Sequence, residues 1–239
     1  MKDRDVSSAS KLRSCLRPKI EAMGYLYTPP AFQSPHQFSW VRRLSPDIGV
    51  CVLVTDGRKR GNHVEVHLWV APICLPSDLF ARLDLGTVNT LLDWHEATPA
   101  IMDQVVKKLG YYEEAFPALQ SVAQRDLIDP ARITKPLRCF MWEQAALKIY
   151  RDRCSPHDWA TFCEIVRSWV SKQISGEEFS ERTFEMVRSK LGSLIDEYPA
   201  KDSKWLPHLV GGGLGMHQAA QMLFDGEFSR KARTSRSGE

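Results

Sequence analysis

Over residues 8–24, Leu12, Cys15, Leu16, Ile20 and Met23 return at steps of three and four behind a Ser-rich start. That spacing gathers them on one side of a 3.6-residue turn and predicts an amphipathic helix ending at Gly24. Pro18 lies inside the pattern and lacks the N–H that would bond one turn back, so it marks either the true first turn or a kink. Thr28-Pro29-Pro30 and Ser34-Pro35 read as loop. Three strand-like runs follow, over 37–44, 48–55 and 62–70. In the third, Val64, Val66, Leu68 and Val70 alternate with His63, Glu65, His67 and Trp69, the period of a strand with one apolar face. Ser45-Pro46-Asp47 and Asp56-Gly57-Arg58-Lys59-Arg60-Gly61 have the length and composition of hairpin turns. An apolar sheet face needs a covering layer. The expected fold is therefore α+β, with an N-terminal helix packed on a three-stranded antiparallel meander and a mostly helical C-terminal region.

Beyond Pro72 the apolar spacing turns helical. Thr98-Pro99 opens a segment carrying Ile101, Met102, Val105, Val106 and Leu109. Leu137, Phe140, Met141 and Ala145 define the inner face of another helix. Ser155-Pro156-His157-Asp158 opens the next, with Trp159, Phe162, Cys163, Val166, Trp169 and Val170 as its stripe. Ser175-Gly176-Glu177-Glu178 fits a capping box ahead of Phe184, Val187, Leu191, Leu194, Ile195 and Tyr198. After Gly211-Gly212-Gly213 a last helix is expected from about Leu214 to Phe224. Three regions follow from this: 1–75, helix plus sheet; 76–226, helical and either separate or packed with the sheet; 227–239, a basic disordered tail.

Composition narrows the class. At 43% hydrophobic and 26% charged residues, the chain has enough apolar side chains for a core, which excludes general disorder. No run approaches the ~18 apolar residues of a membrane helix. The charged start, Met1-Lys2-Asp3-Arg4-Asp5, does not read as a secretory signal, so a soluble cytoplasmic protein is expected. The six cysteines sit in apolar runs without a Cys-x-x-Cys pair, which favours reduced core thiols over zinc or disulfide chemistry. Residues 1–60 carry 11 basic and 5 acidic side chains, whereas 61–134 carry 5 and 10. Such opposed segments suit charged partners.

Five groups of residues carry candidate chemistry. His63, Glu65 and His67 alternate along one strand face, where two imidazoles and a carboxylate suit a metal, although a solvated strand face has the same pattern. Gly211-Gly212-Gly213-Leu214-Gly215 ahead of a helix offers backbone amides to a phosphate, but lacks a following Lys-Ser/Thr and equally suits a flexible connection or close helix packing. Arg42, Arg43, Arg58, Lys59 and Arg60, with Arg230, Lys231 and Arg233 of the tail, are candidate partner-binding cations, while Phe38 and Trp40 read as core. The fourth group is Asp47 with Glu65 and His67. The fifth is Arg151-Asp152 with His157 six positions after the arginine.

Three resemblances attach to these residues. Pro46-Asp47 with Glu65-Val66-His67 resembles the acid-x-acid-x-Lys layout of restriction-type nucleases, with His67 where the family has Lys. Arg151, Asp152 and His157 resemble the short Arg…His motif of helical RNases, which implies a metal-independent nuclease acting at a helix–helix junction. The order of helix, Gly24-Tyr25 step and the strand Phe38-Ser39-Trp40-Val41-Arg42-Arg43 is similar to small bacterial helix-plus-three-strand domains, some of them immunity proteins of polymorphic toxins. That likeness spans residues 10–73 and carries over no site residue.

No Gly-x-Ser-x-Gly, His-Glu-x-x-His or other nucleophile–base set is present. The leading expectation is a non-enzymatic, cofactor-free bacterial protein that binds another protein, as an immunity or inhibitory partner of a toxin. An RNase using Arg151 and His157 is the alternative, and a nucleic-acid-binding regulator the second alternative.

Overall fold

The computed structural model describes residues 8–29, 37–45, 48–56, 63–72, 88–93, 103, 106–107 and 135–228. Two compact units divide the chain, one formed by Met1–Thr28 with Gln33–Ile128 and the other by Pro29–Phe32 with Asp129–Glu239.

In the first unit, Leu16 and Ile20 stand one turn apart on α1 (Ser8–Ala22) and are fully buried. Cys15, expected on the same stripe, is exposed, so the buried stripe is narrower than the periodicity implies. The helix runs through Pro18, whose ring faces outward. Gly24 then takes φ +84°, a left-handed turn open to glycine at little cost, and the chain enters β1 (Leu26–Tyr27). Four longer strands follow: β2 (Gln37–Ser45), β3 (Ile48–Asp56), β4 (His63–Pro72) and β5 (Val88–Asp93). All pair antiparallel, in the order β1-β2-β3-β4-β5.

The expected α+β arrangement of a helix on a three-stranded meander is thereby corrected. Among the described residues the sheet has five strands, and helix makes up the larger share. Two-residue β1 is too short to show a period, yet it meets β2 at Leu26↔Val41 and Tyr27↔Trp40. β5 lies past Pro72, where the spacing turned helical, and pairs with β4 from His63↔Asp93 to Leu68↔Val88. Both complete backbone hydrogen bonding along neighbours whose own pattern gives no sign of them. β5 also carries the sheet beyond residue 75, where the helix-plus-sheet region was expected to end.

α1 packs on β1, β2 and β3. Phe38, Ser39, Trp40 and Val41 are all buried, so this part of β2 is covered on both faces and alternation fails there. Ser39 is accommodated because the Thr28 hydroxyl donates to its carbonyl at 3.1 Å and lies 2.7 Å from its Oγ. Trp40 meets Phe38 edge-on at 5.5 Å. Of the helix expected over 101–109, Asp103, Val106 and Lys107 are helical and the rest lie outside the described residues.

The second unit is helical: α2 (Lys135–Arg153), α3 (Pro156–Val170), α4 (Gly176–Leu191), a 3₁₀ helix (Gly192–Glu197) and α5 (Leu206–Phe224). α3 starts where Ser155 Oγ accepts the Asp158 N–H at 3.1 Å, with Pro156 in the first turn. α4 starts where Ser175 Oγ accepts the Glu178 N–H at 3.1 Å; the Glu178 carboxylate itself meets Arg182 at 3.3 Å. Phe162, Cys163, Ile165, Val166 and Val170 are buried on α3, and Phe179, Phe184, Val187 and Leu191 on α4. α2 departs from its expected face. Met141 and Ala145 are exposed, and the buried positions are Glu143, Ala146 and Tyr150. Glu143 is buried with bonding partners for its carboxylate, Tyr198 and His217.

α5 also differs. It begins at Leu206, with Pro207 in its first turn, and passes straight through the glycine run. It is buried from Val210 to Gly215 and packs against α2, α3 and α4. Among the described residues, no helix is long and apolar enough to cross a membrane.

Candidate functional site

Of the charged candidates read from the sequence, the structure describes the side chains of Arg42, Arg43, Arg151, Asp152 and His157. Arg42 is half-buried, stacks 4.9 Å over the Tyr25 ring and donates to the Met23 carbonyl at 3.1 Å, where α1 has just ended. It therefore holds the helix exit to the sheet. Arg43 is exposed. Asp47, Arg58, Lys59, Arg60, Arg230, Lys231 and Arg233 lie outside the described residues, as do the side chains of His63, Glu65 and His67. By backbone register those three occupy alternate positions of β4 opposite Asp93, Leu91 and Asn89 of β5. Among the described residues no three His, Cys, Asp or Glu side chains form a metal-binding group.

Arg151 and His157 flank the turn between α2 and α3, and both are exposed. Arg151 stacks 5.4 Å over the Trp159 ring. Beside them Lys190 of α4 pairs with Asp158 at 3.0 Å, and Arg153 donates to the Lys190 carbonyl at 2.8 Å. The Asp158 carboxyl is held below its ordinary range by its bonds from Lys190 and Ser155. Tyr150 lies fully buried beneath this turn, 5.1 Å from Phe162, and burial pushes its phenol up.

Two features escaped the sequence. One is a buried polar cluster on the glycine side of α5. Glu143 of α2 is 7% exposed. Tyr198, just after the 3₁₀ helix, donates its hydroxyl to Glu143 Oε1 at 2.9 Å, and His217 Nε2 of α5 lies 3.2 Å from Oε2. Burial and the Glu143 charge push the Tyr198 phenol up, which keeps it protonated as a donor. Trp142 packs edge-on against the Tyr198 ring at 5.0 Å. The glycine run makes room: a Cβ at Gly212 would stand 3.1 Å from Ser180 Oγ, and one at Gly211 would run into the Ser180 carbonyl. Close helix packing is thus the reading of the glycines that the structure selects.

The other feature is at the surface. Trp205 caps the start of α5 and is 61% exposed. Trp40, by contrast, is buried, and Trp142, Trp159 and Trp169 are each partly covered. The Trp205 carbonyl accepts the Leu209 N–H at 2.8 Å, and Leu209 is itself exposed one turn on. His208 meets the indole edge-on at 6.5 Å, and Lys204 Nζ sits 5.3 Å over it. Lys201 and Asp202 complete the exposed rim. No periodicity marks this position, because an amphipathic pattern counts Trp as inward. The chain matches no family model, no curated protein and no solved structure.

Proposed function

We propose that the chain acts by binding another protein, without a reaction of its own, in the manner of an immunity or inhibitory protein. The supporting observation is Trp205. It is a large aromatic left mostly in solvent, on a hydrogen-bonded turn, beside exposed Leu209 and a rim of Lys201, Asp202, Lys204 and His208. Aromatic anchors of this kind carry much of the energy of protein interfaces, and charged side chains around them steer and orient a partner of complementary charge. The test is native mass spectrometry of the complex drawn from the protein's own cell lysate, with Trp205→Ala alongside. A stoichiometric protein partner, lost from the variant, is expected. A partner held equally by Trp205→Ala, or no partner at all, overturns the reading.

Arg151 and His157 support a second reading, cleavage of RNA, because both stand exposed on one helix–turn–helix. Under it, His157→Ala abolishes RNA cleavage while the fold is retained. Activity unchanged by that substitution rejects the assignment.

A further inference from the structure

We infer that the buried Glu143 carboxylate is a latch that holds the Trp205 turn in its presenting conformation. Glu143 is the meeting point of three segments: its own helix α2, the exit of the 3₁₀ helix through Tyr198, and the middle of α5 through His217. From Tyr198 to Trp205 the chain has no regular helix of its own and is tied by a relay of short bonds. The Tyr198 carbonyl accepts Lys201 N–H at 3.0 Å, the Ala200 carbonyl accepts Ser203 N–H at 2.9 Å, and the Ser203 carbonyl accepts Leu206 N–H at 3.0 Å. Ser203 Oγ accepts the Trp205 N–H at 3.2 Å. The relay lies at the surface, with Lys201, Asp202, Lys204 and Trp205 all exposed. Its bonds compete with water, so its stability depends on where its ends are pinned.

α5 pins the far end. The Glu143–Tyr198 bond, with the edge contact to Trp142, pins the near one. Because both carboxylate oxygens are engaged and a carboxylate in this setting cannot be left with an empty oxygen cheaply, release of Tyr198 is opposed from inside the core.

The functional weight of the latch rests on the protein-binding reading, but its existence does not. The test is hydrogen–deuterium exchange of the full chain for wild type, Tyr198→Phe and Glu143→Gln. Tyr198→Phe keeps the ring against Trp142 and removes one hydroxyl. Exchange over residues 199–206 is expected to rise by about tenfold or more, the effect of losing one bond to a buried charged group, while α3 stays as protected as in wild type. Glu143→Gln, which keeps an acceptor for Tyr198, is expected to show a smaller rise in the same peptides. Unchanged exchange over 199–206 in Tyr198→Phe overturns the latch, as does an equal rise in α3, which would mark Glu143 as general core support. A Trp205→Ala protein that binds its partner normally sinks the surface reading and leaves this result standing.

Discussion

A Cβ placed on Gly213 would lie 2.5 Å from Glu143 Cδ, 2.6 Å from Oε1 and 2.8 Å from Oε2. The missing side chain of one residue is the space occupied by the carboxylate of the other. Gly213→Ala is therefore expected to lower unfolding stability by about 1–3 kcal/mol, the usual cost of forcing atoms into a filled core. Gly192 offers a contrast. Nothing lies within 4 Å of its would-be Cβ, but its φ is +55° with ψ −129°. Gly192→Ala should cost about 1–3 kcal/mol through backbone strain alone. Urea denaturation of both variants checks the pair; a neutral Gly213→Ala would refute the close approach of α5 to α2.

The two serine caps make a second prediction. Ser155→Ala and Ser175→Ala each remove an acceptor for an otherwise unbonded N–H at a helix start and should each cost about 1 kcal/mol. The exposed Thr161, whose hydroxyl bonds the His157 carbonyl within α3, should be replaceable by Ala within about 0.5 kcal/mol. Thermal unfolding of the three variants separates caps from ordinary surface hydroxyls.

The Asp158–Lys190 pair ties the start of α3 to the end of α4 and predicts a pH dependence. Asp158 has its pKa lowered from 3.8 on folding, mainly by Lys190, so the stability it contributes is present above about pH 4 and lost as pH falls through the lowered value. Lys190 has its pKa raised from 10.5, mainly by Asp158, so its contribution is present below that pH and fades only above it. In Asp158→Asn the thermal midpoint should fall less steeply below pH 4 than in wild type. Parallel curves for the two proteins would show that the pair adds nothing measurable.

Cysteine reactivity supplies a fourth prediction. Cys15 is exposed, while Cys163 is buried, holds the Gln218 amide at 3.7 Å, and has its thiol pushed up by burial. An alkylating reagent should modify Cys15 in the native protein and Cys163 only after denaturation. Mass mapping of labelled peptides decides it, and native labelling of Cys163 would contradict its place under α5.

Local signals were readable wherever one residue's neighbours along the chain are also its physical partners. Ser155-Pro156 and Ser175 announced two helix starts, since a cap bonds an N–H three residues on. The stripes of α3 and α4 followed from a period of 3.6. The α2 stripe differs from its spacing because the partners that cover Glu143, Tyr198 and His217, lie far along the chain.

The sequence by itself determined the caps and the apolar seams of the two central helices, both of them set by bonds and spacing within a few residues. Tertiary structure alone decided the rest. A run of glycines is disfavoured in a helix by up to about 1 kcal/mol each, yet α5 continues through it because the absent side chains let α2 and α4 approach its backbone. β1 and β5 exist because β2 and β4 had backbone groups to pair. That Trp205 stands in water is likewise a tertiary outcome, at the end of a turn whose start, Tyr198, bonds a carboxylate 62 positions before the indole.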